Sequence, residues 1–253
     1  MKPLLFIIFL LPVFVSVSAE PKTIHVFVAL CDNKYQGIVP VPENLGNGQN
    51  PKTNLYWGAA YGIKTFFRYK AEDWKLIQSI KQESPIILES ILFKHRTEDI
   101  YLLADAYDGE FIDSCILNFL NSANQNFECT VNSDTILHFG GSSDLVVYVG
   151  HNGLMDFDIE ANFNHMNYES NDIMILACYS KQYFKPFINM AEANPVLWTN
   201  HLMAPEAYTL KAAIDGWIKN ESGEQIKERA AQAYNQYQKC GIRGARNLFS
   251  SGF

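Results

Sequence analysis

The sequence predicts an α/β fold: a mostly parallel central sheet with helices on both faces. Three observations lead there. Apolar runs at 23–31, 144–150, 172–177 and 195–200 alternate with segments of helical periodicity, the order expected when helices join parallel strands. The runs "LVVYV" (145–149) and "IMILA" (173–177) lack polar alternation, as central strands buried on both faces do. Roughly 20 residues separate these two strands, more than the dozen or so that a parallel crossover needs.

Taken in order, the chain opens on "MKPLLFIIFLLPVFVSVSAE". Lys2 supplies a basic start, residues 4–15 an apolar core, and Val17-Ser18-Ala19 the small residues that a signal peptidase reads. Residues 1–19 are expected to be a signal peptide cleaved after Ala19, which makes the protein secreted or periplasmic, and residues 20–253 a single α/β domain. Pro12 breaks the apolar run and no stop-transfer pattern follows, which disfavours a membrane anchor. "TIHVFVALC" (23–31) is the first strand. The polar connection 32–53, with its prolines and a Gly46-Asn47-Gly48 turn, is long for a compact domain, which marks it as functional or disordered. "NLYWGAAYGIKTFFRY" (54–69) reads as a helix capped by Asn54. Residues 85–95 and 99–109 read as two strands around a short turn. In 110–125, apolar residues at 111, 112, 115, 116, 119 and 120 trace one helical face. Beyond the strands at 144–150 and 172–177, residues 181–194 read as a helix with Pro186 as a kink or restart. "PVLWTN" (195–200) is a further strand, and 204–220 and 224–239 are two helices.

Composition narrows the function. The 253 residues carry a net charge of −7, and Lys2 is the only charged residue of the leader, so the exported portion stands at −8. An acidic protein without a basic cluster is a poor partner for nucleic acid or an anionic membrane, and neither is expected here. The five cysteines, at 31, 115, 129, 178 and 240, are an odd number, which leaves at least one thiol free or joined to another molecule. They include no C-x-x-C, so a zinc ribbon or thioredoxin-type site is not indicated.

Two strand ends carry the chemistry. In "DLVVYVGHNGLMDF" (144–157) an apolar strand ends at Gly150, and His151, Asn152 and Gly153 follow at once. In "DIMILACYSKQYF" (172–184) a strand of the same design ends at Cys178. Ligands of parallel α/β sheets bind at the carboxyl ends of strands, which is where both residues fall. A thiol attacks a carbonyl only as the thiolate, and a neighbouring imidazole can take its proton and later protonate the leaving amine. A helix starting just after Cys178 is expected to favour the thiolate further. The developing oxyanion needs fixed backbone N–H donors, for which Asn152, Gly153 and Cys178 itself are the candidates.

A strand ending in His-Gly followed by a strand ending in Ala-Cys resembles the motif of the caspase-like cysteine peptidases, the group of the caspases, legumains, clostripain, gingipains and separase. Motif residues are identifiable at "YVGHNG" and "ILACYS", within an order of elements that spans about residues 23 to 200. The resemblance implies a three-layer αβα sandwich, His151 as the catalytic histidine, Cys178 as the nucleophile, a polypeptide substrate and no cofactor. Where the family has glycine directly after histidine, this chain has Asn152 and then Gly153; "LACYS" also lacks the Gln and Gly of the caspases proper. In such families the loop after the first strand helps build the substrate pocket, which makes Asp32 and Asn33 pocket candidates.

Other readings have weaker support. His151, Asp156, Asp158 and His165 could ligate a metal, but no helical H-x-x-x-H pairing supports it. There is no G-x-S-x-G for a serine hydrolase. "FGGSSD" (139–144) precedes a strand, whereas phosphate cradles follow one, so it reads as a loop. Cys31 is a rival thiol with no evident histidine neighbour and is expected to pack or pair. The competing function is a non-catalytic secreted α/β protein that binds through the 32–53 loop.

Overall fold

The structure, a computed structural model, describes residues 20–160 and 170–253. The expected signal peptide, residues 1–19, and His165 lie outside the described residues.

Strand β1 (Lys22–Ala29) occupies the middle of an eight-stranded sheet. It pairs in parallel with β4 (Ile100–Tyr107) on one side and β7 (Leu145–Val149) on the other. Beyond β7, β8 (Asp172–Leu176) and β9 (Asn194–Thr199) continue in parallel. The two edges are antiparallel. β2 (Trp74–Ile80) and β3 (Ile87–His95) extend the sheet past β4, and the short β10 (Phe249–Ser250) closes the far side against β9. The order is β10-β9-β8-β7-β1-β4-β3-β2. The predicted mostly parallel sheet is therefore present, and the strands read at 85–95 and 99–109 form one of its antiparallel pairs.

Alternation along β1 sorts the two faces. Ile24, Val26 and Val28 enter one core with α1 (Ile63–Tyr69), α4 (Ala207–Ile218), α5 (Gly223–Gln238) and α6 (Ile242–Leu248). Phe27 and Ala29 enter the opposite core with α2 (Ile112–Ala123) and α3 (Ser180–Met190). Of the helical face read from sequence, Ile112, Cys115, Ile116, Phe119 and Leu120 point inward, whereas Phe111 precedes the helix and is exposed. A single helix, α3, contains Pro186.

Residues 54–69 depart from the expected helix; only Ile63–Tyr69 is helical. The carbonyl of Asn54 accepts from the N–H groups of Trp57, Gly58 and Ala59 in a tight turn. Its side chain, wholly buried, exchanges hydrogen bonds with both backbone groups of Cys31, at 3.1 and 2.8 Å, and donates to the Asn47 carbonyl. Tertiary partners here outweigh local helix preference.

A separate hairpin, β5 (Glu128–Asn132) and β6 (Ile136–Gly140), was not anticipated. It packs Val131, Leu137 and Phe139 on Leu92, Tyr101 and Leu103 of the sheet. A buried polar network fastens it: Gly140 N–H donates to His25 Nδ1 at 3.0 Å, His25 Nε2 meets Asp105 at 2.9 Å, and Ser90 donates to the same carboxylate. Because Nδ1 accepts a backbone N–H, the proton of His25 resides on Nε2 and is donated to Asp105. All five cysteines are free thiols. Among the described residues, no helix is long and apolar enough to cross a membrane.

Candidate active site

The carboxyl ends of β7 and β8 are adjacent, and their register decides what meets there. Val149 pairs with Leu176, so His151 and Cys178 each stand two residues past a matched pair. Asn152, the residue after His151, joins them. Asn152 is wholly buried; its Nδ2 donates to the Cys178 carbonyl at 2.6 Å, while its Oδ1 accepts from Leu154 N–H at 3.2 Å and caps the short turn Gly153–Met155. The inserted side chain is thus a staple between the histidine turn and the cysteine turn.

His151 is 7 % exposed and is held at two points. Buried Tyr148 donates its hydroxyl to the His151 carbonyl at 2.6 Å, and ring Nε2 lies 2.7 Å from Asp156 Oδ2. The carboxylate oxygen can only accept, so Nε2 carries a hydrogen, and in the neutral ring the lone pair lies on Nδ1. Asp156, a possible metal ligand by sequence, is the partner of the imidazole. Among the described residues, no group of three His, Cys, Asp or Glu converges on a metal position.

Cys178 is half-buried. Its Sγ accepts from Met203 N–H at 3.4 Å and faces the Met203 carbonyl at 3.6 Å. Among the described residues, no hydrogen bond joins Sγ to His151. Burial pushes the Cys178 thiol above its ordinary value, and the backbone N–H groups of Met203 and of Cys178 itself draw it down by less. Desolvation is the largest influence on this thiol, and the lowering expected from the helix start is not seen. The next residue, Tyr179, adopts a left-handed conformation (φ 48°, ψ 32°) before α3 begins, with its N–H on the His201 carbonyl at 3.0 Å. Such a conformation costs a non-glycine residue on the order of 1–2 kcal/mol and persists where the surroundings impose it.

The proposed oxyanion donors are available. The backbone N–H groups of Asn152 and Gly153 have no acceptor among the described residues, while that of Cys178 faces its own Sγ. Gly153 is buried beside the ring of Phe157.

The pocket candidates Asp32 and Asn33 organise their own loop. Asp32 is 1 % exposed; its Oδ1 accepts from the N–H groups of Lys34 and Tyr35, and its Oδ2 from Gly48 N–H and Gln49 Nε2. Asn33 is bonded through both ends of its amide to the backbone of Val41. With these clamps the 32–53 loop is ordered. It reaches the histidine turn through Gly37, whose N–H donates to Asp156 at 3.0 Å. The rival thiol Cys31 is fully buried beside Tyr56 and is pushed up to about 11 by burial, which makes it a packing residue. Sequence reasoning missed the parts played by Tyr148, Asn152, Asp156 and Met203. Only Asp156, five residues after His151 on a short turn, left a local signal.

A cleft of about 1030 Å³ opens on the opposite edge of the sheet, where the strands begin. Its polar side chains largely serve one another: Asp172 accepts from Trp217 and Asn194, and Asp144 accepts from Thr23 N–H. His151 and Cys178 lie at the other edge. Comparison with protein-family models, with curated proteins and with solved structures returned no match.

Proposed function

We propose that this protein is an exported cysteine endopeptidase of caspase-like type, with Cys178 as nucleophile and His151 as general base. The observation that carries the reading is the equal offset of both residues from the Val149–Leu176 pair on adjacent parallel strands, with Asn152 stapling the two turns. A polypeptide bound across this edge presents its carbonyl to Sγ. Sγ leaves Met203, its proton passes to Nδ1 of His151, and a C–S bond forms. The negative charge moves to the carbonyl oxygen, which the N–H groups of Asn152, Gly153 or Cys178 can receive. Collapse expels the amine, which takes the proton from the imidazolium, and water then hydrolyses the thioester. Burial favours the neutral thiol, so an imidazole is needed to take its proton. No metal or organic cofactor enters these steps.

One observation favours the competing reading of a binding protein: at rest Sγ and the imidazole hydrogen-bond to different partners, Met203 and Asp156. Apo catalytic contacts are often loose, so the separation does not remove the dyad. Casein or peptide-library cleavage by the wild type, Cys178→Ala and His151→Ala separates the two. Loss of cleavage in both variants supports the peptidase. Wild-type cleavage by Cys178→Ala refutes it.

A further inference from the structure

We infer that Asp156 is a positioning residue that locks His151 in the Nε2–H tautomer and ties it to the 33–41 loop. Its catalytic consequence rests on the peptidase reading above. Asp156 Oδ2 receives two donors, His151 Nε2 at 2.7 Å and Gly37 N–H at 3.0 Å. A carboxylate has no hydrogen to give, so this contact leaves Nδ1 as the basic nitrogen. Among the described residues, Nδ1 has no partner.

The approach of the loop depends on residue 37 being glycine. A Cβ there would lie 2.4 Å from Asp156 Oδ1, well inside contact distance. Asp156 is itself fixed by the turn that bears His151, since its N–H donates to the Gly153 carbonyl at 2.8 Å. The imidazole is thereby set from both ends: Tyr148 holds the backbone and Asp156 the ring. The Asp156 side chain is 34 % exposed, so its part is orientation more than charge strength.

The experiment uses the full exported chain carrying ¹⁵N-labelled histidine. The imidazole signals of His151 report the tautomer, and casein cleavage that depends on Cys178 reports the reaction. The wild type is expected in the Nε2–H form. Asp156→Ala is expected to bring in the Nδ1–H form and to lower kcat about tenfold or more with KM within about twofold. Asp156→Asn retains one oxygen able to accept from both donors and is expected to recover the tautomer and part of the rate. Gly37→Ala, which leaves the carboxylate in place but pushes it away, is expected to move the imidazole signals as Asp156→Ala does. An Nδ1–H tautomer in the wild type, or unchanged tautomer and kcat in Asp156→Ala, overturns the inference. A rise in KM in step with a lost melting transition also overturns it, because that is the mark of a loop scaffold. Absence of Cys178-dependent cleavage in the wild type overturns the peptidase reading instead, and the imidazole signals still decide whether Asp156 sets the ring.

Discussion

Asn152→Asp reverses one polarity at the centre of the candidate site and keeps everything else. The aspartate has the same shape, and an oxygen still faces Leu154 N–H, which the native side chain accepts at 3.2 Å. The donor to the Cys178 carbonyl, at 2.6 Å, becomes a second acceptor in a position with 0 % exposure. The lost hydrogen bond is worth about 1 kcal/mol, and a buried carbonyl left unpaired costs about 1–3 kcal/mol. Protonation relieves the clash, because a neutral carboxyl group can donate to that carbonyl. The introduced group therefore has a folded-state pKa above the usual ~3.9, and a rise of about two units corresponds to about 2.7 kcal/mol at neutral pH. The sign follows from linkage: in this window the native variant holds a proton that the unfolded chain releases, so its stability falls as pH rises. Urea denaturation of wild type and variant should give a deficit of about 1 kcal/mol near about pH 4 and about 2–4 kcal/mol near about pH 7. A neutral-pH deficit under about 0.5 kcal/mol, or the same deficit at both pH values, would refute the idea that Asn152 staples the two turns.

Three further outcomes follow from the same geometry. Gly153→Ala brings a Cβ within 2.6 Å of the Phe157 ring and 3.0 Å of Ile116. The overpacking should cost about 1–3 kcal/mol, read as a melting transition lowered by about 2–4 °C per kcal/mol, and an unchanged transition would contradict it. Tyr148→Phe removes the hydroxyl on the His151 carbonyl, at 2.6 Å, with an expected loss of about 1–2 kcal/mol in chemical denaturation. Peptide-mapped alkylation of the native protein should label exposed Cys240 first and fully buried Cys115 last. Cys178, whose thiol burial holds high, should react slowly near neutrality and faster as pH climbs past the ordinary thiol range; Cys178 labelling that is fast and flat with pH would contradict that ordering.

Much of the scaffold was legible because its signals are local. Unbroken apolar runs at 145–149 and 173–177 announce buried parallel strands, and the spacing of Ile112, Cys115, Ile116 and Phe119 announces one helical face. Where reading failed, the deciding partners were distant in sequence. Asn54 reads as a helix cap, yet its amide is committed to Cys31 and Asn47, and the helix starts nine residues later. Asp32 reads as a pocket candidate, and its carboxylate accepts from Gly48 and Gln49, partners that no local pattern announces.

By itself the sequence determined the class of fold and the two strand ends where a histidine and a cysteine emerge, since hydrophobic period and strand termini are written in consecutive residues. Tertiary structure decided how those ends are furnished. The β7–β8 register sets His151 and Cys178 at equal offsets, and Asn152 spans the gap to the Cys178 carbonyl. Met203 returns from the far side of α3 and β9 to hold the thiol, and Gly37 brings the 33–41 loop to Asp156. Each of these contacts joins segments that no sequence window contains together, and directional hydrogen bonds of this kind form only after the sheet has fixed the positions of both partners.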